Sequence, residues 1–413
     1  MSLIFLIVFL ALIASALSLP IFEAVFLAVL LSPVLGHIAG LMTPLNQQAY
    51  YIILVAPLIL LWSLTRRALR QDGSFVIKAK EAAPIVFFCV AFSFLHSLCL
   101  RWPDFIAMGE RLRDYAILSA AYTDPVNTKE PWFAGIPINY YLYWYRFGHF
   151  LATTLNLELW EVYHMVAAFC SAFYMTAVFR ILSAHCGLGW IWTITLSVFI
   201  GLGSNLAGVW NFLTQDSNWW GPSRVITGAI NEFPAWSFLL GDLHPHYMNL
   251  GFVPFVIACG LTFAARLENL RFLLPLIFST TIVALLWVYS ANAWEVPVFF
   301  GLIVVFAICL VLTMVCNARI SRSSIAALIK NTLAALLDIR LFSLLLIAAI
   351  AAVSLVHASL NLPPADQELS LVAGDIARSR VSEILNHWGL PLILVALSHL
   401  LLAEQAQFRV VAG

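Results

Sequence analysis

Charged side chains are scarce in this sequence. Only 10% of its 413 residues are Asp, Glu, Lys or Arg, and the two signs balance to a formal net charge of zero. A chain with no basic surplus is not expected to bind nucleic acid. The seven cysteines, Cys89, Cys99, Cys170, Cys186, Cys259, Cys309 and Cys316, contain no Cys-x-x-Cys pair and fall mostly inside apolar runs. They read as core residues, with neither a disulfide framework nor a structural zinc expected. Alternating strands of about ten residues are missing, which argues against a membrane barrel. No phosphate-binding glycine loop, Gly-x-Ser-x-Gly or His-Glu-x-x-His occurs, although their absence excludes little in a membrane enzyme. There is no tandem repeat. The first apolar run ends in Ala14-Ser15-Ala16 but lacks the basic leader of a signal peptide, so a retained helix is expected.

Apolar surface, by contrast, is abundant. Hydrophobic residues make up 62% of the chain, and mean hydropathy is +0.94. Runs of about 20 apolar residues recur, each long enough to cross a bilayer. The expected fold is therefore all-α, a polytopic bundle of about eleven spans. These lie near 2–19, 21–40, 47–64, 83–100, 161–182, 187–207, 247–264, 272–290, 297–316, 341–359 and 386–404. Basic residues set the orientation. Arg66, Arg67, Arg70, Lys78 and Lys80 form one group, Arg266 and Arg271 a second, and Arg319, Arg322, Lys330 and Arg340 a third. Placing all three on the cytoplasmic side puts the loops 101–160, 208–246, 290–296 and 360–385 on the opposite face. The stretch 140–156 carries Arg146 and His149 at its centre. A charge at mid-bilayer costs roughly 2.5–3.5 kcal/mol on insertion scales, so this stretch is expected to lie on the membrane as a juxtamembrane helix. The whole chain, 1–413, reads as one integral membrane domain. It divides into N-terminal helices (1–100), an extracytoplasmic loop (101–160), core helices (161–316, with the outer loop 208–246), a basic cytoplasmic connector (317–340) and C-terminal helices (341–413).

Several outer-loop residues are candidates for chemistry. Glu110 and Asp114 are four apart, so a helix would put them on one face, close enough to hold one cation or to divide acid and base roles. The bland alternative is a pair of solvated loop charges. The run from Asn231 to His246 collects Glu232, Asp242, His244 and His246, and Pro245 biases His244 toward an extended backbone that sets both imidazoles on one side. Carboxylates with imidazoles suit a divalent metal, a proton relay or a phosphate contact; Asp114, Asp242, His244 and His246 are the candidate metal ligands. Arg224 suits a phosphate, or is a surface residue of the aromatic belt. Asn292 and Glu295 stand before a helix that Pro297 can start, as site residues or as a cap. Glu383, Asn386 and His387 are weaker candidates. Glu23 and His37 lie inside an apolar run and read as helix-packing residues.

These motifs together resemble a known family. Gly109-Glu110 with Asp114-Tyr115, Pro131-Trp132-Phe133-Ala134-Gly135, Asn139-Tyr140-Tyr141, Asn231-Glu232-Phe233-Pro234, Asp242-Leu243-His244-Pro245-His246, Asn292-Ala293-Trp294-Glu295-Val296-Pro297 and His387-Trp388-Gly389 follow in that order. The sequence is similar to the uncharacterised, strongly hydrophobic YYY-domain membrane proteins, which are grouped by similarity with the GT-C superfamily of integral membrane glycosyltransferases. The resemblance implies transfer of a hexosyl or pentosyl unit from a polyprenyl-phosphate sugar, the co-substrate, on the extracytoplasmic face of the cell membrane. It implies Asp114 as base or metal holder, with Glu110 in support. Tyr140, Tyr141, Arg224, Glu232, Asp242, His244, His246, Asn292 and Glu295 would bind substrate, and a divalent metal would be a cofactor. The partners implied are the bilayer and the lipid-linked donor. Two departures stand out. The triple tyrosine is interrupted by Leu142, and the chain, ending at Gly413, is expected to be short at its C-terminal side. Rival readings are a transporter or flippase of a lipid-linked substrate, for which broken helices would be expected, and a non-catalytic assembly protein.

Overall fold

The computed structural model describes residues 22–33 in part, 79–101, 110–125, 127–214, 220–226, 231–264, five positions between 291 and 301, and three between 382 and 385. The spans expected near 2–19, 47–64, 272–290, 341–359 and 386–404, most of those near 21–40 and 297–316, and His37, Asn386 and His387, lie outside the described residues. Among the described residues the protein is helical, and its one extended pairing is an isolated bridge between Lys129 and Pro137.

In order, the helices are α1 (Ala79–Cys99), α2 (Arg111–Thr123), α3 (Tyr143–Leu155), α4 (Leu159–Arg180, continued by a π turn, Ile181–His185), α5 (Trp190–Gly201), α6 (Leu206–Thr214), α7 (Pro234–Leu240), the single turn α8 (Pro245–Met248) and α9 (Phe252–Ala264). Among the described residues, two stretches are long and apolar enough to cross a membrane, Ala82–Cys99 and Leu159–His185. The chain falls into two compact units, one comprising Met1–Glu81, Tyr115–Val162 and Phe255–Pro363, the other Ala82–Asp114, Tyr163–Pro254 and Pro364–Gly413.

In the second unit α4 is the hub. Its apolar residues run all round the helix, the pattern of a helix enclosed on every side. Phe87 of α1 stacks on Phe179 at 4.6 Å between ring centroids, and Phe88 meets Phe169 edge-on at 5.6 Å. Lipid tails are as apolar as these rings, so such close packing, rather than escape from water, drives helices together in a bilayer. Polar contacts reinforce it: buried Tyr247 donates to the Ala167 carbonyl at 2.9 Å and lies 2.7 Å from the Ser171 hydroxyl. On its free side α1 exposes Val86, Val90 and Phe94.

The span expected over 187–207 is interrupted. The structure has two helices there, α5 and α6, meeting at 92°. Leu202-Gly203-Ser204-Asn205 interrupts the apolar pattern with residues that favour turns. Asn205 then starts α6 by accepting a hydrogen bond from the Gly208 amide at 2.8 Å. In the segment expected at 247–264 the described helix is α9, which begins at Phe252 after the single turn α8.

In the first unit α3 has 13 residues, about 20 Å of helix and too short to cross a ~30 Å apolar layer. That length agrees with a helix that does not cross, and Tyr143–Phe147 are all buried, so it packs within the protein. Arg146 is satisfied inside the protein, its Nε donating to the Pro125 carbonyl at 2.8 Å. Glu23 is fully buried and accepts a hydrogen bond from Thr262 at 2.8 Å, the helix-packing role its sequence position suggests.

Candidate functional site

The first half of the site lies in the second unit, at the start of α2. Glu110 precedes the helix and Asp114 sits in its first turn, where unpaired amides and the helix dipole favour a carboxylate. The two acids do share a cation, and it is internal. Arg113 Nη2 donates to Glu110 Oε2 at 3.1 Å and approaches Asp114 Oδ1 at 3.4 Å. Their environments differ sharply: the Glu110 side chain is 49% exposed, that of Asp114 0%.

Two prolines build the second half. Pro234 opens α7, and Gly241 ends it in the left-handed region, φ +64, donating to the Phe238 and Ser237 carbonyls. A side chain at that φ would be strained. The turn aims Asp242 back under α7, its amide bonded to the Ser237 carbonyl at 3.2 Å. His244 follows in the extended region, as a residue before proline must, and Pro245 starts α8. The rings of His244 and His246 stack with centroids 5.3 Å apart.

The halves meet at His244. Its Nδ1 stands 3.2 Å from Asp242 Oδ2, and its Nε2 contacts Glu110 Oε2 and lies 3.3 Å from Arg113 Nη2. Burial alone would push the imidazole pKa down; Asp242, then Asp114 and Glu110, outweigh that and raise it to about 9. At neutral pH the ring is a cation among three carboxylates. Beside it, His246 Nε2 reaches Glu232 Oε2 at 2.6 Å. Glu110, Asp114, Glu232, Asp242, His244 and His246 thus converge on one charged cluster. The buried Asp242 Oδ1 has no hydrogen-bond partner among the described residues, a costly state for a carboxylate oxygen.

Sequence reasoning underrated three residues here. Arg113, between the two acids in sequence, bridges them. Tyr163, near the start of α4, donates its hydroxyl to the Gly241 carbonyl at 2.9 Å and so ties the turn to the helix. Arg111 lies beside Gly241, its Cζ 3.8 Å from where a β-carbon would sit. No spacing rule picks out a single Tyr in an apolar run.

Arg224 makes other contacts. Its Nη1 donates to the Ser223 carbonyl at 2.7 Å and hydroxyl at 2.9 Å, and its guanidinium lies 4.5 Å from the centre of the Trp220 ring. Tyr140, Tyr141, Asn292 and Glu295 belong to the first unit. There the two tyrosine rings lie 5.7 Å apart, and Asn292 donates to Glu295 at 3.0 Å, the local pairing of a helix start.

Among the described residues, no three His, Cys, Asp or Glu side chains are arranged to hold a metal ion. A divalent ion between Glu110 and Asp114 would have to displace Arg113. As placed, these residues do not fit one.

Apolar membrane-length helices with an acid–histidine–arginine cluster define an all-helical integral membrane protein carrying an ionic centre. The chain belongs to the family described as uncharacterized membrane protein (DUF2298), whose profile matches residues 34–412. No curated protein and no solved structure matches it.

Proposed function

We propose that the protein is a GT-C-like membrane glycosyltransferase, moving a hexosyl or pentosyl unit from a polyprenyl-phosphate carrier to an acceptor hydroxyl on the extracytoplasmic face. The observation that carries this reading is the cluster in which Glu110, Arg113, Asp114, Asp242 and His244 meet. A lipid phosphate leaves as an anion and needs charge compensation more than a proton. The His244 imidazolium and Arg113 can supply it without a metal. As the acceptor oxygen bonds to the sugar carbon and the carbon–phosphate-oxygen bond breaks, the hydroxyl proton must pass to a base. Asp114 was the expected base, yet it is wholly buried and faces Arg113. We therefore assign the base to the half-exposed Glu110, with Asp114 holding the guanidinium. Asp242, 3.2 Å from His244 Nδ1, would orient the imidazolium.

One observation favours a second reading. The 92° break between α5 and α6 is the kind of interrupted helix that transporters and flippases use around a substrate.

The test uses purified protein in liposomes with radiolabelled polyprenyl-phosphate sugars. Transfer that falls at least ~100-fold in Glu110→Gln and His244→Gln, with both variants folded, supports the proposal. Donor that crosses the bilayer unconsumed supports the transporter. If the donor is neither consumed nor moved, both readings fail.

A further inference from the structure

Among the described residues, helix α6 has an open apolar flank. Trp210 is 67% and Phe212 74% exposed, and Leu213 is nearly as open. At 100° per residue, Phe212, Val209, Leu213, Leu206 and Trp210 form one apolar arc, and Thr214, Ala207, Asn211 and Gly208 the opposite, small and polar one. Within the polar arc Ala207 and Asn211 are half-buried, while Thr214 at the helix end is exposed. Gly208 is the buried position, and a β-carbon there would come within 3.1 Å of Phe233. With 9 residues, about 14 Å of helix, α6 cannot cross a bilayer, and the 92° turn directs it away from the axis of α5.

Its depth follows from its neighbours. Phe233, on which Gly208 packs, adjoins Glu232, and Glu232 pairs with His246, whose side chain is 48% exposed. Ionic groups with that much open surface belong at the level of the headgroups, not at mid-bilayer. The turn Gly221–Arg224 is held at the same end of α6, because Asn205 donates to the Pro222 carbonyl at 2.5 Å while capping the helix. That turn presents Trp220, 59% exposed, with Arg224 stacked on it. Trp and Arg side by side are the interfacial pairing of an apolar ring and a phosphate-seeking cation. The hydrogen bonds from Arg224 to Ser223 use Nη1, and the residue is half-buried.

We infer that α6 lies flat in the interfacial layer of the bilayer, with its Trp210–Leu213 arc among the acyl chains and Arg224 on a phospholipid phosphate. This anchor stands independently of the transferase reading.

A spin-label scan tests it. Each residue from 206 to 214 is replaced by cysteine in a chain whose seven native cysteines are changed to Ser or Ala. Oxygen and nickel-complex accessibility are then read in vesicles containing phosphatidylglycerol. Label depth should oscillate about every 3.6 residues with no net trend. A steady change of ~1.5 Å per residue would mean a spanning helix. Labels reached by neither reagent would mean a protein-covered face. Either result overturns the inference. Arg224→Glu should raise nickel accessibility at 210 and 213 by about twofold or more; an unchanged value removes Arg224 from the anchor. Should the cysteine-free chain not fold, the wild-type chain and Trp210→Phe can be compared with brominated lipids. The quenching lost with Trp210 should be greatest for bromines near the headgroup, and equal loss from mid-chain bromines would contradict the proposal.

Discussion

Arg113 Nη2 lies 3.3 Å from His244 Nε2, across 131 residues of sequence. Two cations this close are tolerable only inside a ring of acids, and Glu110, Asp114 and Asp242 provide it. The contact also changes character with protonation. A charged ring donates from Nε2 to Glu110; a neutral ring can instead accept from Arg113. The site therefore has a built-in exchange of partners governed by one proton.

That proton should be visible in stability. The folded pKa of His244, about 9, lies above its ordinary value of 6.5. Its contribution is thus fully present below pH ~6.5 and is lost as pH rises through ~9, up to about 3 kcal/mol in all. Melting temperature in detergent should fall across that window for the native chain, and the step should flatten in His244→Gln. An equal step in both would separate it from His244.

The Gly241 turn is the mechanical support. Gly241→Ala should cost about 1–2 kcal/mol through its left-handed φ, and Tyr163→Phe about 1 kcal/mol through its hydrogen bond to the Gly241 carbonyl. Both should also lower the His244 pKa, read by histidine NMR, because each lets Asp242 drift from the ring. Destabilisation without a pKa change would limit these residues to packing.

In the other unit, Thr262→Val removes a donor from the fully buried Glu23. The expected loss is about 1–3 kcal/mol, seen as a lower melting temperature. Thr262→Ser, which keeps the hydroxyl, should retain most of the native value.

A transferase that relies on Arg113 and His244 for charge compensation should keep its rate after treatment with EDTA. Loss of transfer on chelation, restored by a divalent ion, would place a metal where the geometry does not.

Local rules made parts of this site legible in the sequence. Glu110 and Asp114 lie near each other at a helix start, and His244 is extended because Pro245 follows it. Which cation they share was not legible, since a four-residue spacing serves a metal and a neighbouring Arg113 equally well. Nor was the division between an open Glu110 and a sealed Asp114, which depends on packing around the first turn of α2. The break in 187–207 was masked by its own hydropathy: Leu202–Asn205 is short, and an averaged apolar window runs across it. For Arg146 the cost of a bare charge in lipid was counted, but not the Pro125 carbonyl that removes it. Tyr163 left no trace, because a hydroxyl at the end of an apolar helix looks the same with or without a carbonyl to meet.

The central claim is that Glu110 and His244, far apart in sequence, are one charge-paired centre. A double-mutant cycle tests it most directly: native chain, Glu110→Gln, His244→Gln and the double variant, melted in detergent at pH 7. We predict a coupling of about 1 kcal/mol or more, shrinking at pH 10 as the imidazole loses its proton. Strictly additive effects at pH 7 would contradict the account.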